Sequence, residues 1–336
     1  MKKIERIAFV NYEDARLIEE ELDVENLTGN QIIVKNLFST ISNGTEKANL
    51  VGQRVGSAPV VFPRFSGYSN CSEVVYVGPE VKSLKQGDRV IPIWGTHASY
   101  HKTAEDKVVL LPDEVTNEEA ALMFIGTFPI AAVRKVRLEL GENCAVIGLG
   151  VLGQFAIQFA KAAGGYPIIG VDPNKERREE ALRNGADFVF DPTDPNYIKN
   201  VLKVAPDGYE TAIEVTGNGH ALNQTLDLMK KFGRVALLGC TRNNDFVVDY
   251  YTRVHLPGVE LIGAHALARP EKESRPHNFT NTDDLKSIIK LCVGKRINIK
   301  NMIKETHSPK ECHEIYKRLV NDKDFPTVVQ FDWSKI

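Results

Sequence analysis

Gly148, Gly150 and Gly153 form a G-x-G-x-x-G pattern between an apolar run, residues 144–147, and a helical stretch, residues 154–163. In this context the first glycine permits a tight turn, the second lets the backbone approach a pyrophosphate, and the third lets the helix pack closely on the strand. The amino-terminal end of the helix then attracts anionic phosphates. The chemistry that these residues predict is the binding of a dinucleotide. A tight turn without a ligand is the alternative.

An acidic residue stands where a dinucleotide site needs one, because the next predicted strand, residues 168–171, ends at Asp172. Its carboxylate can accept hydrogen bonds from an adenosine ribose. A 2′-phosphate would instead place two negative charges about 4 Å apart, which costs about 4 kcal/mol at an effective dielectric constant of about 20. We therefore expect NAD rather than NADP. Arg177 and Arg178 would soften the repulsion, although by themselves they are typical of a solvated helix face.

Two histidines, His97 and His101, have the H-x-x-x-H spacing that places metal ligands on one face of a helix. The residues around them are typical of a strand instead. At about 3.3 Å per residue the two side chains would stand about 13 Å apart, too far to share one ion. We therefore expect no metal at this pair.

The chain is long enough for two domains, because its 336 residues are about twice a typical domain length. The hydrophobic fraction of 43% and the charged fraction of 26% are those of a globular protein. The net charge is 42 − 44 = −2, which provides no field for gathering nucleic acid or anionic lipid. We expect a small-molecule partner, with neither nucleic acid nor membrane.

No stretch of the sequence approaches the roughly 18 apolar residues of a membrane span, and the first residues become charged before an apolar run reaches signal-peptide length. We therefore expect a cytoplasmic protein. Its five cysteines show no C-x-x-C pairing, and we expect each to be a buried, reduced thiol. They are Cys71, Cys144, Cys240, Cys292 and Cys312.

The elements that must position these residues fall into two regions. Up to about residue 120, short β-rich runs are broken by Gly, Pro and Asn, which indicates an irregular β domain. These runs are 31–38, 71–77, 88–93 and 107–111. Further on, apolar runs alternate with helical spacers, which specifies a doubly wound parallel sheet. Those runs are 145–147, 167–171, 187–190, 211–215, 234–238 and 259–262.

A polar segment, residues 269–283, leads to two further helical stretches and a last strand, residues 327–331. We therefore expect an α/β fold in which a doubly wound domain interrupts a β domain. The predicted bounds are 1–125 for the first part of the β domain, 126–268 for the dinucleotide-binding domain and 269–336 for the return to the β domain.

Across residues 4–333 the sequence resembles the medium-chain dehydrogenase/reductase family, whose members combine a GroES-like β domain with an inserted Rossmann domain. Beside the glycine loop, the resemblance rests on short stretches in the family's order. They are Ser42-Asn-Gly-Thr-Glu46, Gly87-Asp-Arg-Val90, Glu118-Glu-Ala-Ala121 with Thr127, Glu214-Val-Thr-Gly217, Leu238-Gly239 and Val259-Glu-Leu-Ile-Gly263. It implies an NAD-dependent oxidoreductase that transfers hydride in a cleft between two domains.

The resemblance also implies which residues contact the cofactor. They are Gly148, Gly150, Val151, Leu152 and Gly153 at the pyrophosphate, Asp172 and Arg177 at the ribose, Thr127 at the nicotinamide, Thr216 and Gly217 near the adenosine, and Leu238, Gly239, Cys240 and Ile262 at the carboxamide.

Alcohol dehydrogenases of this family typically hold a catalytic zinc ion, and this chain lacks the ligands at the matching positions. Zinc needs three or four N, S or O side chains in a tetrahedron, but Asn43, Tyr68 and Met123 stand there. The four-cysteine loop that would follow residues 89–94 is also missing from the sequence. The chain is therefore similar to the zinc-free branch, in the subgroup that includes bacteriochlorophyllide a dehydrogenase, and we expect no metal.

Without a metal, a side chain must take the proton of the alcohol as hydride leaves. Thr45 matches the family residue that hydrogen-bonds the reacting oxygen. Tyr68 is the first acid/base candidate, with Lys47 as a cation that lowers its pKa, and the alternative is that Tyr68 only fills the volume left by zinc. His97 and His265 are the competing acid/base candidates.

Five residues are expected at the substrate. Trp94 matches an aromatic residue of the family's substrate pocket, and an indole face suits the C–H side of a sugar ring or a flat apolar ring. The alternative is that Trp94 is a core residue. Asn43 stands in the same stretch as Glu46, which matches a family aspartate and is expected mainly to hold its loop. His265 and Arg269 lie in the segment after the last Rossmann strand, which would hold a polyhydroxylated or carboxylated substrate or would be a solvated hinge.

We expect a metal-independent, NAD(H)-dependent oxidoreductase that interconverts a secondary alcohol of a sugar, polyol or glycoside and its ketone. A zinc-free quinone or enoyl reductase that uses NADPH is the first alternative, and a nucleotide-binding scaffold without activity is the second. Residues 259–263 resemble the edge strand through which relatives pair their Rossmann sheets, which implies a homodimer or homotetramer.

Overall fold

The computed structural model describes residues 1–53, 59–243 and 245–336. The strands are β1 Lys2–Asn11, β2 Asp14–Leu22, β3 Gln31–Thr40, β4 Arg64–Phe65, β5 Asn70–Val77, β6 Arg89–Pro92, β7 Tyr100–Ala104, β8 Val108–Leu110, β9 Cys144–Ile147, β10 Ile168–Val171, β11 Phe188–Phe190, β12 Tyr209–Glu214, β13 Met229–Leu237, β14 Glu260–Gly263, β15 Glu305–His307 and β16 Val329–Asp332. The α-helices are α1 Asn43–Leu50, α2 Asn117–Lys135, α3 Val151–Ala162, α4 Lys175–Arg183, α5 Tyr197–Val204, α6 Gly219–Asp227, α7 Asn281–Val293 and α8 Cys312–Asn321.

The chain divides into two compact units. The first contains Met1–Ile125, Leu285–Lys295 and Ile299–Ile336, and the second contains Gly126–Asp284 and Arg296–Asn298. The main return to the first unit follows Asp284 inside α7, so the return predicted after residue 268 comes too early. The segment before Asp284 stays with the second unit because this carboxylate pairs with Arg134 at 2.9 Å and with Arg269 at 3.3 Å.

The first unit is built on two mostly antiparallel sheets. One has the order β15-β16-β3-β5-β6-β8, with β7 also paired to β3, and the other has the order β2-β1-β4. The predicted β-rich runs correspond to β3, β5, β6 and β8. The hairpin of β1 and β2 was not predicted, because Glu19–Glu21 give β2 a charged character that is unfavourable for strands.

The second unit is a parallel sheet with the order β11-β10-β9-β12-β13-β14. The six apolar runs of the sequence are these six strands, so the predicted doubly wound α/β fold is confirmed. Ile147 at the end of β9 pairs with Val171 of β10 and with Glu214 of β12. The segments that follow these three strands therefore meet at one edge of the sheet, at the topological switch point where such folds bind ligands.

None of the helices in the described part of the chain combines the length and the apolar character that a membrane span requires. The cysteine prediction is correct for Cys71, Cys144 and Cys312, which are buried. It is wrong for Cys240, which is exposed in the loop after β13, and for Cys292, which is partly exposed in the last turn of α7.

Candidate functional site

The glycine loop joins the end of β9 to the start of α3. Gly148 has a left-handed φ of 94°, and a Cβ at Gly153 would come within 2.0 Å of the Gly148 carbonyl oxygen. Only glycine therefore allows this approach of helix to strand. Gly150 is the N-cap of α3 without a side-chain cap, and a Cβ at Gly150 would meet nothing within 4 Å. The start of α3 is open, and its N–H groups fit an anionic phosphate.

Asp172 follows β10 and is tied to the glycine loop. One carboxylate oxygen accepts the N–H of Leu149 at 2.8 Å, and the other accepts the N–H of Asn174 at 2.8 Å. Arg177 Nη1 lies 3.9 Å from the carboxylate. An ionised carboxylate has about four acceptor positions. Asp172 can therefore hold the loop and still accept hydrogen bonds from ribose hydroxyls.

The segment after β12 lies beside the glycine loop. Buried Glu214 accepts the N–H of Thr216 at 2.7 Å and that of Gly217 at 3.1 Å, and burial raises the pKa of its carboxyl. A Cβ at Gly148 would come 2.8 Å from the Thr216 methyl carbon, and a Cβ at Gly239 would come 2.1 Å from the Gly217 nitrogen. Three segments that were predicted to contact the cofactor are thus packed against one another.

A cavity of about 320 Å³ opens between the segment after β12 and the loop after β13. Thr216, Gly217 and the exposed Cys240 contribute to its lining. Leu238 is buried at the end of β13, and Ile262 pairs with Ala236 across β14 and β13. At the start of α3, Val151 is buried and Leu152 is partly exposed.

Arg269 and His265 lie in the segment after β14, in different surroundings. The Arg269 guanidinium is 5% exposed, pairs with Asp284 at 3.3 Å and donates to the Thr127 carbonyl at 2.8 Å. This arginine therefore braces buried Thr127, and its predicted contact with the substrate stays a prediction. His265 is exposed, and its Nδ1 accepts the N–H of Leu267 at 3.2 Å within a local turn.

In the first unit, Tyr68 and the start of α1 form a cluster of hydroxyl groups. The Tyr68 phenol donates to Ser42 Oγ at 2.5 Å and also hydrogen-bonds the side chain of Thr45. Burial raises the pKa of Tyr68 to about 12; its hydrogen bonds to the two hydroxyls oppose this, and the charge of Glu46 adds to it. At neutral pH the phenol therefore keeps its proton.

Aromatic rings surround the Tyr68 hydroxyl cluster. The ring centroids of Tyr68 and Trp94 are 5.7 Å apart, and those of Trp94 and Phe124 are 5.1 Å apart. Trp94 is 45% exposed and has a left-handed φ of 58°, so its ring is presented at the surface of the unit rather than filling the core. The tyrosine that carries the polar hydroxyl thus lies beside a partly exposed indole ring.

Lys47 does not support Tyr68. Its ammonium donates to the Val320 carbonyl at 2.9 Å in α8, and the pKa of Tyr68 is raised rather than lowered. The geometry therefore gives no support to Lys47 as a cation that lowers the pKa of Tyr68, and its catalytic role stays a prediction. Residues two positions apart do not share a helix face, so Lys47 points away from the side of α1 that carries Thr45.

His97 and Glu46 form a buried pair. The His97 ring is 0% exposed, with Nε2 3.2 Å from Glu46 Oε2 and Nδ1 2.7 Å from Ser39 Oγ. The Tyr316 hydroxyl also donates to Glu46, which is 1% exposed. Both side chains are thus enclosed within the first unit, and their predicted roles as acid/base and substrate contact stay predictions.

The residues present do not fit the zinc ion that relatives bind. The Asn43 amide donates to the Pro326 carbonyl at 2.8 Å and to the Thr327 carbonyl at 3.3 Å, Tyr68 carries a protonated phenol, and Met123 is fully buried. Among the residues that the structure describes, no group of three or more His, Cys, Asp or Glu side chains is placed to hold a metal. His101 lies in β7 and His97 in the loop before it.

Ser42 and Phe124 were missed as members of this site. Serine is common at the start of a helix, where it caps the backbone. The sequence therefore gives no sign that Ser42 contacts Tyr68, 26 positions further along. Phe124 stands one position after the matched Met123, and its apolar surroundings are those of any buried helix.

Comparison with known proteins connects both units to one family. Residues 151–275 match the family model described as "Zinc-binding dehydrogenase". The chain is 26% identical to sorbitol dehydrogenase of Bacillus subtilis (strain 168) over 79% of its length and 88% of the relative's. It is 30% identical to (R,R)-butanediol dehydrogenase of the same strain over 51% of its length and 56% of the relative's.

The fold also matches a solved structure over both units. A protein of Sinorhizobium meliloti 1021, described as a zinc-binding dehydrogenase bound to NADP, has a TM-score of 0.82 at 18% identity, and the match covers 99% of this chain and all of that one. The likeness shows a shared fold.

Proposed function

Because this chain belongs to the medium-chain dehydrogenase/reductase family and is an oxidoreductase, we propose that it interconverts a secondary alcohol of a sugar or polyol and its ketone, with NAD(H) and without a catalytic metal. The relatives named for sorbitol and butanediol support a polyol as the substrate class. The Trp94 face supports it too, because an exposed indole suits the C–H side of a sugar chain or ring.

The proposed cofactor fits the second unit. The open start of α3 and the glycine loop would hold the pyrophosphate, and Asp172 with Arg177 would hold the ribose. When bound, the nicotinamide accepts or supplies the hydride. NAD is proposed over NADP because a 2′-phosphate beside the Asp172 carboxylate would bring like charges together.

The observation that carries the proposal is the hydrogen-bonded pair of Tyr68 and Thr45. Quinone and enoyl reductases need no strong acid or base at this point, whereas alcohol–ketone interconversion must move a proton on and off oxygen. In reduction, Thr45 holds the carbonyl oxygen and the Tyr68 hydroxyl gives it a proton. This transfer is downhill, because a phenol with a pKa of about 12 is a stronger acid than an alcohol, whose pKa is near the value of about 15.7 for water.

In alcohol oxidation the same pair works in reverse. Tyr68 must first lose its proton to the solvent, and its phenolate then takes the proton of the alcohol. Since the pKa of Tyr68 is about 12, the phenolate is a small minority at neutral pH, and oxidation gains from alkaline conditions.

The test begins with chelator-treated protein. Equilibrium binding of NADH and NADPH is measured first, and NADH absorbance is then followed with NAD and a panel of sorbitol, xylitol, butanediol and other secondary alcohols. We expect tighter binding of NADH and turnover of at least one polyol. A preference for NADPH, or activity that appears only after zinc is added, would contradict the proposal.

Tyr68→Phe removes the proton carrier and keeps the ring. We expect it to lower turnover by about 10²-fold or more, as for loss of a general acid, with NADH binding unchanged. The matched control is Tyr76→Phe, which loses a hydroxyl from an exposed tyrosine of β5. Turnover of Tyr68→Phe within threefold of the parent would rule out the acid/base role.

We further propose that the second unit pairs with a second copy through β14. This strand is at the edge of its sheet, paired on one side with β13. Exposed apolar side chains accompany this strand, namely Leu261, Phe232 and Leu256. Pairing of two copies of β14 across a two-fold axis would cover the free strand edge and these side chains. A light-scattering mass near the 37.4 kDa of one chain would contradict this dimer.

A further inference from the structure

Ser42 occupies the N-cap of α1, but its side chain makes no capping hydrogen bond. An N-cap serine usually accepts an N–H from the first turn of its helix. Here Ser42 Oγ instead accepts the Tyr68 hydroxyl at 2.5 Å. The side chain is thus turned away from its usual partner and toward the phenol.

Glu46 fixes the backbone from which Ser42 projects. Its Oε1 accepts the N–H of Ser42 at 2.8 Å, so the carboxylate one turn further along α1 reaches back over the helix start. Burial opposes ionisation of Glu46, but the charge and hydrogen bond of His97 and the hydroxyl of Tyr316 hold the pKa of this carboxyl below its usual value.

The partners of Glu46 are themselves oriented. The Trp333 indole N–H can only donate, and it donates to Ser39 Oγ at 2.8 Å. That oxygen also bonds His97 Nδ1 at 2.7 Å. Because an ionised carboxylate only accepts, the hydrogen on His97 Nε2 must point at Glu46. Buried groups from distant parts of the unit therefore lock one carboxylate in place.

We propose that Ser42 and Glu46 are positioning residues that hold the Tyr68 oxygen in place for proton transfer to the reacting oxygen, Ser42 through its hydrogen bond with the phenol and Glu46 by holding Ser42. This inference rests on the proposed role of Tyr68. The Ser42 hydroxyl accepts the phenol hydrogen, and it can turn to donate to the phenolate once that hydrogen has moved to the reacting oxygen. The negative charge of Glu46 acts on the same phenol. Glu46 is the charged group from α1 that acts on Tyr68, and His97 and Tyr316 are the titratable groups that face Glu46 in turn.

The two residues act on Tyr68 with opposite sign. The Ser42 hydroxyl lowers the pKa of Tyr68, because it can donate a hydrogen bond to the phenolate, and the charge of Glu46 raises this pKa. Ser42→Ala should therefore raise this pKa further, whereas Glu46→Gln should lower it. Loss of packing alone would not move the pKa in opposite directions.

The experiment titrates Tyr68 directly, by NMR of protein with ring-labelled tyrosine, with the Tyr68 signal assigned from Tyr68→Phe. This readout needs no substrate. The matched control is Ser69→Ala, which loses a buried serine hydroxyl bonded to the Ala121 carbonyl at 2.7 Å. We expect a lower Tyr68 pKa in Glu46→Gln, a higher one in Ser42→Ala and the parent value in Ser69→Ala. The parent pKa in both variants would overturn the inference. If Glu46→Gln does not fold, the two serine variants test the inference without it. We then expect a higher Tyr68 pKa in Ser42→Ala and the parent Tyr68 pKa in Ser42→Thr, which keeps the hydroxyl.

Kinetics separate this inference from the proposed function. In the parent background, Ser42→Ala should lower kcat about tenfold, the effect of one lost hydrogen bond, with KM for the cofactor unchanged. In the Tyr68→Phe background the same change should have no effect, because Ser42 acts through Tyr68. A tenfold loss in both backgrounds would overturn the inference while leaving Tyr68 as the acid/base. Full activity of Tyr68→Phe would overturn both.

Discussion

Replacing Asp172 by serine removes the charge that would discriminate between the two nicotinamide cofactors. A 2′-phosphate about 4 Å from the carboxylate is repelled by about 4 kcal/mol at an effective dielectric constant of about 20. Since about 1.4 kcal/mol is a tenfold change in affinity, this repulsion corresponds to a preference for NADH of up to about 10³-fold. Arg177, 3.9 Å from the carboxylate in the parent, would remain to attract the phosphate. We therefore expect Asp172→Ser to bind NADPH at least as tightly as NADH.

The assay is a pair of fluorescence titrations, with NADH and with NADPH, for parent and variant at one ionic strength. The ratio of the two dissociation constants is the relevant quantity, because a general weakening of the loop affects both cofactors alike. Asp172 also accepts the N–H groups of Leu149 and Asn174, so some loss of NADH affinity accompanies the change in ratio.

Asp187→Ser is the matched control for Asp172→Ser. Asp187 accepts the N–H of Ile168 at 2.8 Å, at the opposite end of β10, so this variant loses a charge and a backbone acceptor away from the ribose. An unchanged ratio in Asp172→Ser, or an equal change in Asp187→Ser, would refute the assignment of cofactor preference to Asp172.

Three further outcomes follow from the structure. Gly153→Ala places a Cβ 2.0 Å from the Gly148 carbonyl oxygen, so α3 must shift. Urea unfolding should then give a free energy of unfolding lower by about 1–3 kcal/mol. Titration with NADH should give an affinity at least tenfold weaker than that of the parent. Alcohol oxidation should accelerate about tenfold per pH unit between about pH 7 and 10, because the pKa of Tyr68 is about 12, and a plateau in stopped-flow rates near neutral pH would contradict this. The hydrogen bonds from Arg318, partly offset by burial and aided by His307, lower the pKa of Glu305 to about 2. In the unfolded chain this pKa is about 4.3. The ion pair therefore stabilises the fold fully above about pH 4.3, and this stabilisation is lost as the pH falls toward 2. Glu305→Gln should lower the unfolding free energy by about 1 kcal/mol at neutral pH and leave it unchanged near pH 2.

The candidate nucleotide site of the second unit could be predicted from the sequence because its contacts are local. Gly148, Gly150 and Gly153 share one turn, and Asp172 ends the next strand along the chain. A right-handed crossover makes that strand a neighbour of β9, which is how Asp172 comes to accept the N–H of Leu149. The alternation of apolar strands and helices, the positions of the glycines and the right-handed crossover rule together predict this arrangement.

The chemistry in the first unit could not be predicted in the same way, because its partners are far apart in the chain. The hydroxyl of Tyr316 and the imidazole of His97 reach Glu46 from 270 and 51 positions away. The spacing of residues along a helix already argues against the prediction that Lys47 acts on Tyr68 beside Thr45. Ser42 and Thr45 are three positions apart at the start of α1 and share a face, whereas Lys47 does not. The pairing of Arg269 with buried Asp284 was also not predicted, because the two residues are 15 positions apart in the chain.

Tyr68 stands at a position that matches a zinc ligand of the family, and this replacement changes how the proposed reaction should depend on pH. A Lewis acid stabilises an alkoxide by charge and works while its ligands are deprotonated. In the proposed reaction Tyr68 instead supplies a proton, and a pKa of about 12 keeps its phenol protonated throughout the neutral range. Ketone reduction should therefore be nearly independent of pH from about 6 to 9, while alcohol oxidation climbs. A bell-shaped profile for reduction in that range would point to a different proton donor, and among the described residues the exposed His265 would be the first to replace.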